Sequence, residues 1–119
     1  MKESILRTKS KEFALHVIAV CDTVNTKNNR GALTNQIVRS ATSIGANIHE
    51  ANYGASPADF INKLQIALKE CYETEYWLEM LEGSNSIDTA IANELLQECR
   101  FIRSMLVKSV TTAKKNKDK

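Results

Sequence analysis

The chain has 119 residues, 43% of them hydrophobic and 25% charged, with one proline and four glycines. Those values describe one globular domain around one core; they exclude a disordered chain, and no apolar run nears the roughly 20 residues of a membrane-spanning helix. Net charge is only +2, but residues 1–30 carry six basic against three acidic groups, 31–82 three against seven, and 83–119 seven against four. Basic ends flank an acidic middle. The amino terminus is charged and lacks a signal-peptide core, so a cytoplasmic protein is expected.

Breaks rich in Asn, Gly, Ser or Pro fall at 25–31, 54–57 and 83–86, and no alternating Val/Ile/Thr run marks a strand. The first helix begins between Ser4 and Ser10, with Leu6, Phe13, Val17, Val20 and Val24 on its buried side. The second starts near Thr34, and Leu33, Ile37, Ala41, Ile44 and Ile48 recur by fours and threes. Beside that stripe run Gln36, Ser40, Ser43, Asn47 and Glu50, then a small-residue strip of Thr42, Gly45, Ala46 and His49. Gly45 costs about 1 kcal/mol of helix stability relative to alanine, so another backbone should approach closely there. Folding the third helix back sets Ser43 opposite about Ala67, and Arg39 opposite about Cys71 to Glu75. An Arg39–Glu75 ion pair is expected, with Glu70 one turn away as the alternative partner.

The third helix has the clearest start: Ser56 can cap it, Pro57 suits its first turn and Asp59 completes a capping-box-like pattern. Its main stripe is Phe60, Leu64, Ala67, Cys71, Thr74, Leu78 and Leu81. Ile61, Leu68 and Tyr72 widen it on one side, Ile66 and Trp77 on the other. That is more apolar surface than one bundle seam needs. Self-association through Tyr72, Tyr76 and Trp77 is therefore expected. The fourth helix follows Ser86, with Ile91, Leu95, Cys99, Ile102, Leu106 and Val110 on one face and a basic tail at about 111–119 expected to fray. The whole chain reads as a single all-α domain, an antiparallel up-down-up-down four-helix bundle.

Catalytic and metal chemistry find little footing. A bundle di-metal site needs inward glutamates and two Glu-x-x-His pairs. This chain has two histidines: His16 follows Glu12 at four residues, and His49 precedes Glu50 directly, pointing about 100° away. Ser43 and His49 stand too far apart along a helix for a dyad. No phosphate loop or nucleophile elbow is present. Cys21, Cys71 and Cys99 are odd in number, far apart and on apolar stripes, which suits reduced core thiols. No enzyme, metal or cofactor is expected.

The run "RSATSIGANIHEA", followed by "SPADFINKLQIALKECYETEYWLEML", closely resembles the bacterial 23S ribosomal RNA intervening-sequence proteins. Their pattern is similar to R-S-x-x-S-I-x-x-N-I-x-E-A, supplied here by Arg39, Ser40, Ser43, Ile44, Asn47, Ile48, Glu50 and Ala51. It continues with Ser56, Asp59, Phe60, Ile61, Lys63, Ile66, Ala67, Lys69, Glu70, Glu73, Tyr76, Trp77 and Leu78. The similarity spans about residues 9 to 82, and His49 fills a position that varies in that family. The resemblance implies a non-enzymatic four-helix bundle assembling as a five-subunit ring, with no catalytic residues to carry over. A related branch binds nucleic acid and a reverse transcriptase.

Two functions follow as expectations. An up-down-up-down bundle brings the start of the first helix to the end of the fourth, gathering Lys2, Arg7, Lys9 and Lys11 with Lys108, Lys114, Lys115, Lys117 and Lys119. Such a basic end suits RNA or DNA phosphates. The alternative is a ring-forming adaptor that binds another protein and no nucleic acid, which the acidic third helix fits as well.

Overall fold

Ser56 opens the third helix as its composition foretells: extended itself, it accepts a hydrogen bond at its hydroxyl from the Asp59 amide (3.2 Å), and Pro57 takes the first turn. The computed structural model describes residues 2–118, with side chains from 5 to 118. Its elements are α1 (Lys2–Asn28), α2 (Gly31–Ala51), α3 (Pro57–Gly83) and α4 (Thr89–Lys117). Among the described residues, no helix is long and apolar enough to cross a membrane.

Pairs along each seam run in opposite directions. Ser10 meets Gly45, Thr34 reaches back to Asn25, Glu50 pairs with Lys63, Ser40 with Thr74, and Glu75 with Arg103. His16 faces Glu94 and Glu98, while Leu6 and Ser109 line one crevice. The bundle is therefore up-down-up-down, 53 Å long and about 20 Å across. Each helix packs on two neighbours, none packs across the diagonal, and the α1–α4 seam is the sparsest.

The predicted stripes form the core. Leu6, Phe13, Val17, Ile37, Ile44, Leu78, Leu81, Leu95, Ile102 and Leu106 are fully buried, whereas Val20, Leu33, Phe60 and Ile91 sit half-buried at stripe edges. Asparagine rather than glycine makes the sharpest backbone turns. Asn29 and Asn85 take the left-handed backbone (φ 51° and 59°), while Gly31 and Gly83 lie inside helices. The α1–α2 and α3–α4 turns clasp each other, because Arg30 Nε donates to Ser86 Oγ (2.9 Å) and Asn28 to the Ser86 carbonyl (3.3 Å). At the other end, α4 stays helical to Lys117 through the segment expected to fray. Val110 and Ala113 hold it to the core, and Lys114, Lys115 and Lys117 suit the negative end of its dipole.

Gly45 does mark a close approach, but to α1 rather than to α3. A Cβ placed there would lie 3.4 Å from Ser10 Oγ and 3.8 Å from the Ser10 backbone. Those are ordinary contact distances, so a methyl group fits without displacement. Gly45→Ala should raise stability by up to about 1 kcal/mol through helix propensity alone. Gly45→Leu should lower it by prying α1 from α2. Urea denaturation of the two variants against the parent checks both signs.

Candidate functional site

The topology brings the start of α1 and the end of α4 to one end of the bundle, but it spreads the cations around the circumference. Arg7 and Lys11 line an open groove of about 670 Å³ between α1 and α2, together with Thr42, Gly45 and His49. Among the described residues, no carboxylate lines that groove. Lys114 and Lys117 line a second groove, of about 450 Å³, against Ala58, Asn62 and Gln65 of α3, with Asp118 as its one acid. Lys9 is paired with Glu12 (3.7 Å) and turns toward α4, and Lys108 and Lys115 are exposed. The Lys2 side chain and Lys119 lie outside the described residues.

Along the outer face of α3, Tyr72, Tyr76 and Met80 stand one turn apart, and both tyrosines are 53% exposed. Arg103 covers the Tyr72 ring at 5.0 Å from its centroid. Trp77 is half-buried and committed within the chain: it packs on the core, meets the Tyr76 ring edge-on, and donates from Nε1 to Glu73 (3.2 Å).

The expected Arg39–Glu75 pair does not form. Arg39 instead bonds Glu73 and lies 3.6 Å from Glu70, the alternative partner. Glu75 is taken by Arg103 (2.7 Å) and Arg100 (3.4 Å) of α4. The reason is azimuth. Ser40 and Thr74 face each other across the α2–α3 seam, which puts Arg39 at the height of Glu75. Glu73 and Glu75 leave the α3 axis about 100° to either side of Thr74, and Arg39 lies on the Glu73 side.

Burial, then Glu73, raises the carboxyl pKa of Glu70 above its ordinary value against the pull of Arg39. The Trp77 hydrogen bond, more than Arg39, holds Glu73 below its own. Glu70 Oε1 is buried with no hydrogen-bond partner, as befits a carboxyl that binds a proton readily. The three cysteines are free and buried. Burial, then Asp22, pushes the Cys21 thiol up to about 11, and Cys99 is raised by its hydrogen bond to Cys71 and by burial. These are inert core thiols.

One cluster escaped a reading of single helices. His16 of α1 faces Glu94 and Glu98 of α4, with Nδ1 2.6 Å from Glu98 Oε2 and Nε2 3.7 Å from Glu94 Oε1. The signal for it lies in two places: Glu94 and Glu98 are one turn apart beside the α4 stripe, and His16 sits beside the α1 stripe.

Arg39 is 48% exposed, whereas Glu75 is 13% and Arg103 29% exposed. Arg39→Met should therefore cost about 0.2–1 kcal/mol. Arg103→Met, which leaves the mostly buried Glu75 only its longer contact with Arg100, should cost about 1.5–3 kcal/mol. Equal losses in chemical denaturation would contradict this ranking. Glu70 gives a pH signature. An acid whose folded pKa is raised contributes stability below its unfolded pKa and loses it as pH rises through the folded value. Glu70→Gln, neutral at every pH, should melt above the parent at neutral pH, and the two curves should converge in acid.

Comparison with known proteins agrees with the fold. The sequence pattern described as "23S rRNA-intervening sequence protein" matches residues 2–108. Lys114, Lys115 and Lys117 fall outside that match. A crystal structure from Bacteroides thetaiotaomicron, a protein with unknown function from the S23 ribosomal protein family, is 40% identical. It superposes with a TM-score of 0.91 over 93% of this chain and 99% of its own. Among curated proteins, none matches. With its sequence match running through all four helices, the chain belongs to the 23S rRNA-intervening sequence protein family.

Proposed function

We propose that the protein is a non-enzymatic, homo-oligomeric bundle of the cytoplasm that associates with nucleic acid through its terminal end. The observation carrying this reading is the pair of cation-lined grooves at one end of the bundle, the α1–α2 groove holding Arg7 and Lys11 with no lining carboxylate among the described residues. Among the described residues, neither Arg7 nor Lys11 has an acid within 4.0 Å, and both side chains are exposed. His49, its ring tilted against Tyr53, adds a donor to the same groove. Recognition of this kind neutralises phosphates and reads little sequence.

Self-association uses the outer face of α3. Tyr72, Tyr76 and Met80 form a strip that a second copy would cover, and the five-subunit ring implied by the family resemblance is the form proposed. Repetition around a ring multiplies the basic grooves.

Anisotropy titrations with labelled single-stranded and duplex RNA at two salt concentrations test the binding. Affinity should fall steeply with salt, and the double variant Arg7→Gln, Lys11→Gln should flatten the log–log slope by about 1.4–1.8. Light scattering should give a multiple of the chain mass, reduced by Tyr72→Ser with Tyr76→Ser. An oligomer that binds no RNA even at low salt would be the protein-binding adaptor instead.

A further inference from the structure

We propose that His16, Glu94 and Glu98 form a binding site for a first-row divalent transition-metal ion, such as Zn²⁺, clamped between α1 and α4. One ligand atom from each residue lies within 4.8 Å of the other two. With metal–ligand bonds of about 2.0–2.2 Å, neighbouring ligands of a tetrahedral ion stand about 3.4 Å apart. His16 Nε2 and Glu94 Oε1, at 3.7 Å, are already close to that separation. An imidazole nitrogen with a carboxylate oxygen suits zinc, cobalt or nickel better than magnesium or calcium, which prefer oxygen alone.

Charge favours occupation. Glu94 and Glu98 repel each other across one helical turn. Among the described residues, neither has a lysine or arginine within 4.0 Å, and His16 is the partner both share. Lys9, in the same α1–α4 groove, is paired with Glu12. A protonated imidazole brings one positive charge to two carboxylates, whereas a divalent ion brings two. An ion held by Nε2 and Glu94 leaves Nδ1 to Glu98, 2.6 Å away, which orients the ring and adds its negative charge. Glu94 is 65% exposed, so ions can enter from solvent and water can complete the coordination. Buried thiols offer no competing ligands.

The site also has a mechanical consequence. It bridges the sparsest seam of the bundle, and an ion bound by the folded chain alone stabilises that fold.

Titration of the intact, metal-free protein with Co²⁺ and Zn²⁺ tests the proposal. Co²⁺ should give visible ligand-field absorption that saturates at one ion per chain and is abolished by Zn²⁺. Zn²⁺ should raise the Tm of the parent. His16→Ala and Glu98→Gln should each weaken affinity by at least about tenfold, since even outer-shell partners of a metal contribute that much. His49→Ala should leave binding unchanged. Should His16→Ala fail to fold, Glu94→Gln, at an exposed position, carries the same comparison. Three results would overturn the site: no saturable uptake by the folded parent, uptake unaffected by the cluster substitutions, or an equal effect of Mg²⁺. Each would leave the cluster a histidine–carboxylate ion pair.

Discussion

The hydroxyls of Ser40 and Thr74 meet at 2.8 Å in the middle of the bundle, and both residues are fully buried. Each also lies within reach of its own helix, Ser40 of the Ile37 carbonyl and Thr74 of the Glu70 carbonyl. Sliding α2 along α3 by one turn would break the contact between them and leave each hydroxyl only the carbonyl of its own helix, at about 0.5–1.5 kcal/mol for the lost hydrogen bond. Greasy stripes alone tolerate such slips. This polar contact does not, so it sets the register of the tightest seam. From that register follow the meeting of Arg39 with Glu70 and Glu73, and the turning of Glu75 toward α4.

The helices were legible because each carries its own 3.6-residue stripe, a property of one segment that needs no knowledge of its neighbours. Ser56 and Pro57 announced the start of α3 for the same local reason. What stayed hidden depends on azimuth across a seam. The height of Arg39 came out correctly from counting residues back through the turn, yet its partner was placed on the wrong side of Thr74. Gly45 signalled a close approach, but nothing in α2 alone says whether α1 or α3 makes it. Which residue of each break would take the left-handed backbone was not legible either, and Asn29 and Asn85 adopt it, as asparagine tolerates. His16, Glu94 and Glu98 are 82 residues apart at their widest and could be joined only through the folded bundle.

Each seam has solved its polar edge differently. Arg39 with Glu70 and Glu73 edges α2–α3, Arg103 and Arg100 with Glu75 edge α3–α4, and a histidine with two acids edges α1–α4. Among the described residues, α1–α2 has no ion pair at all. Its small residues, Ser10 and Ala14 against Gly45 and Ala46, bring the helices close and leave a shallow groove instead. The long side chains of Arg7 and Lys11 border that groove, and among the described residues no acid lines it.

The helix dipole distinguishes the two sets of terminal cations. Lys114, Lys115 and Lys117 occupy the last turn of α4, where positive charge offsets the partial negative charge of unpaired carbonyls, worth about 0.3–1 kcal/mol for each favourable side chain. Their presence has a sufficient local cause. Arg7 and Lys11 sit in the amino-terminal half of α1, where the dipole, if it is felt at all, disfavours cations. Neither has a salt-bridge partner among the described residues, and neither is buried. They also lie within the span matched by the family pattern, whereas the lysines of the last turn do not. The helix dipole can therefore account for the α4 lysines without a ligand, but it gives no such account of the α1 pair. For the nucleic-acid reading, the α1–α2 groove is the more informative of the two.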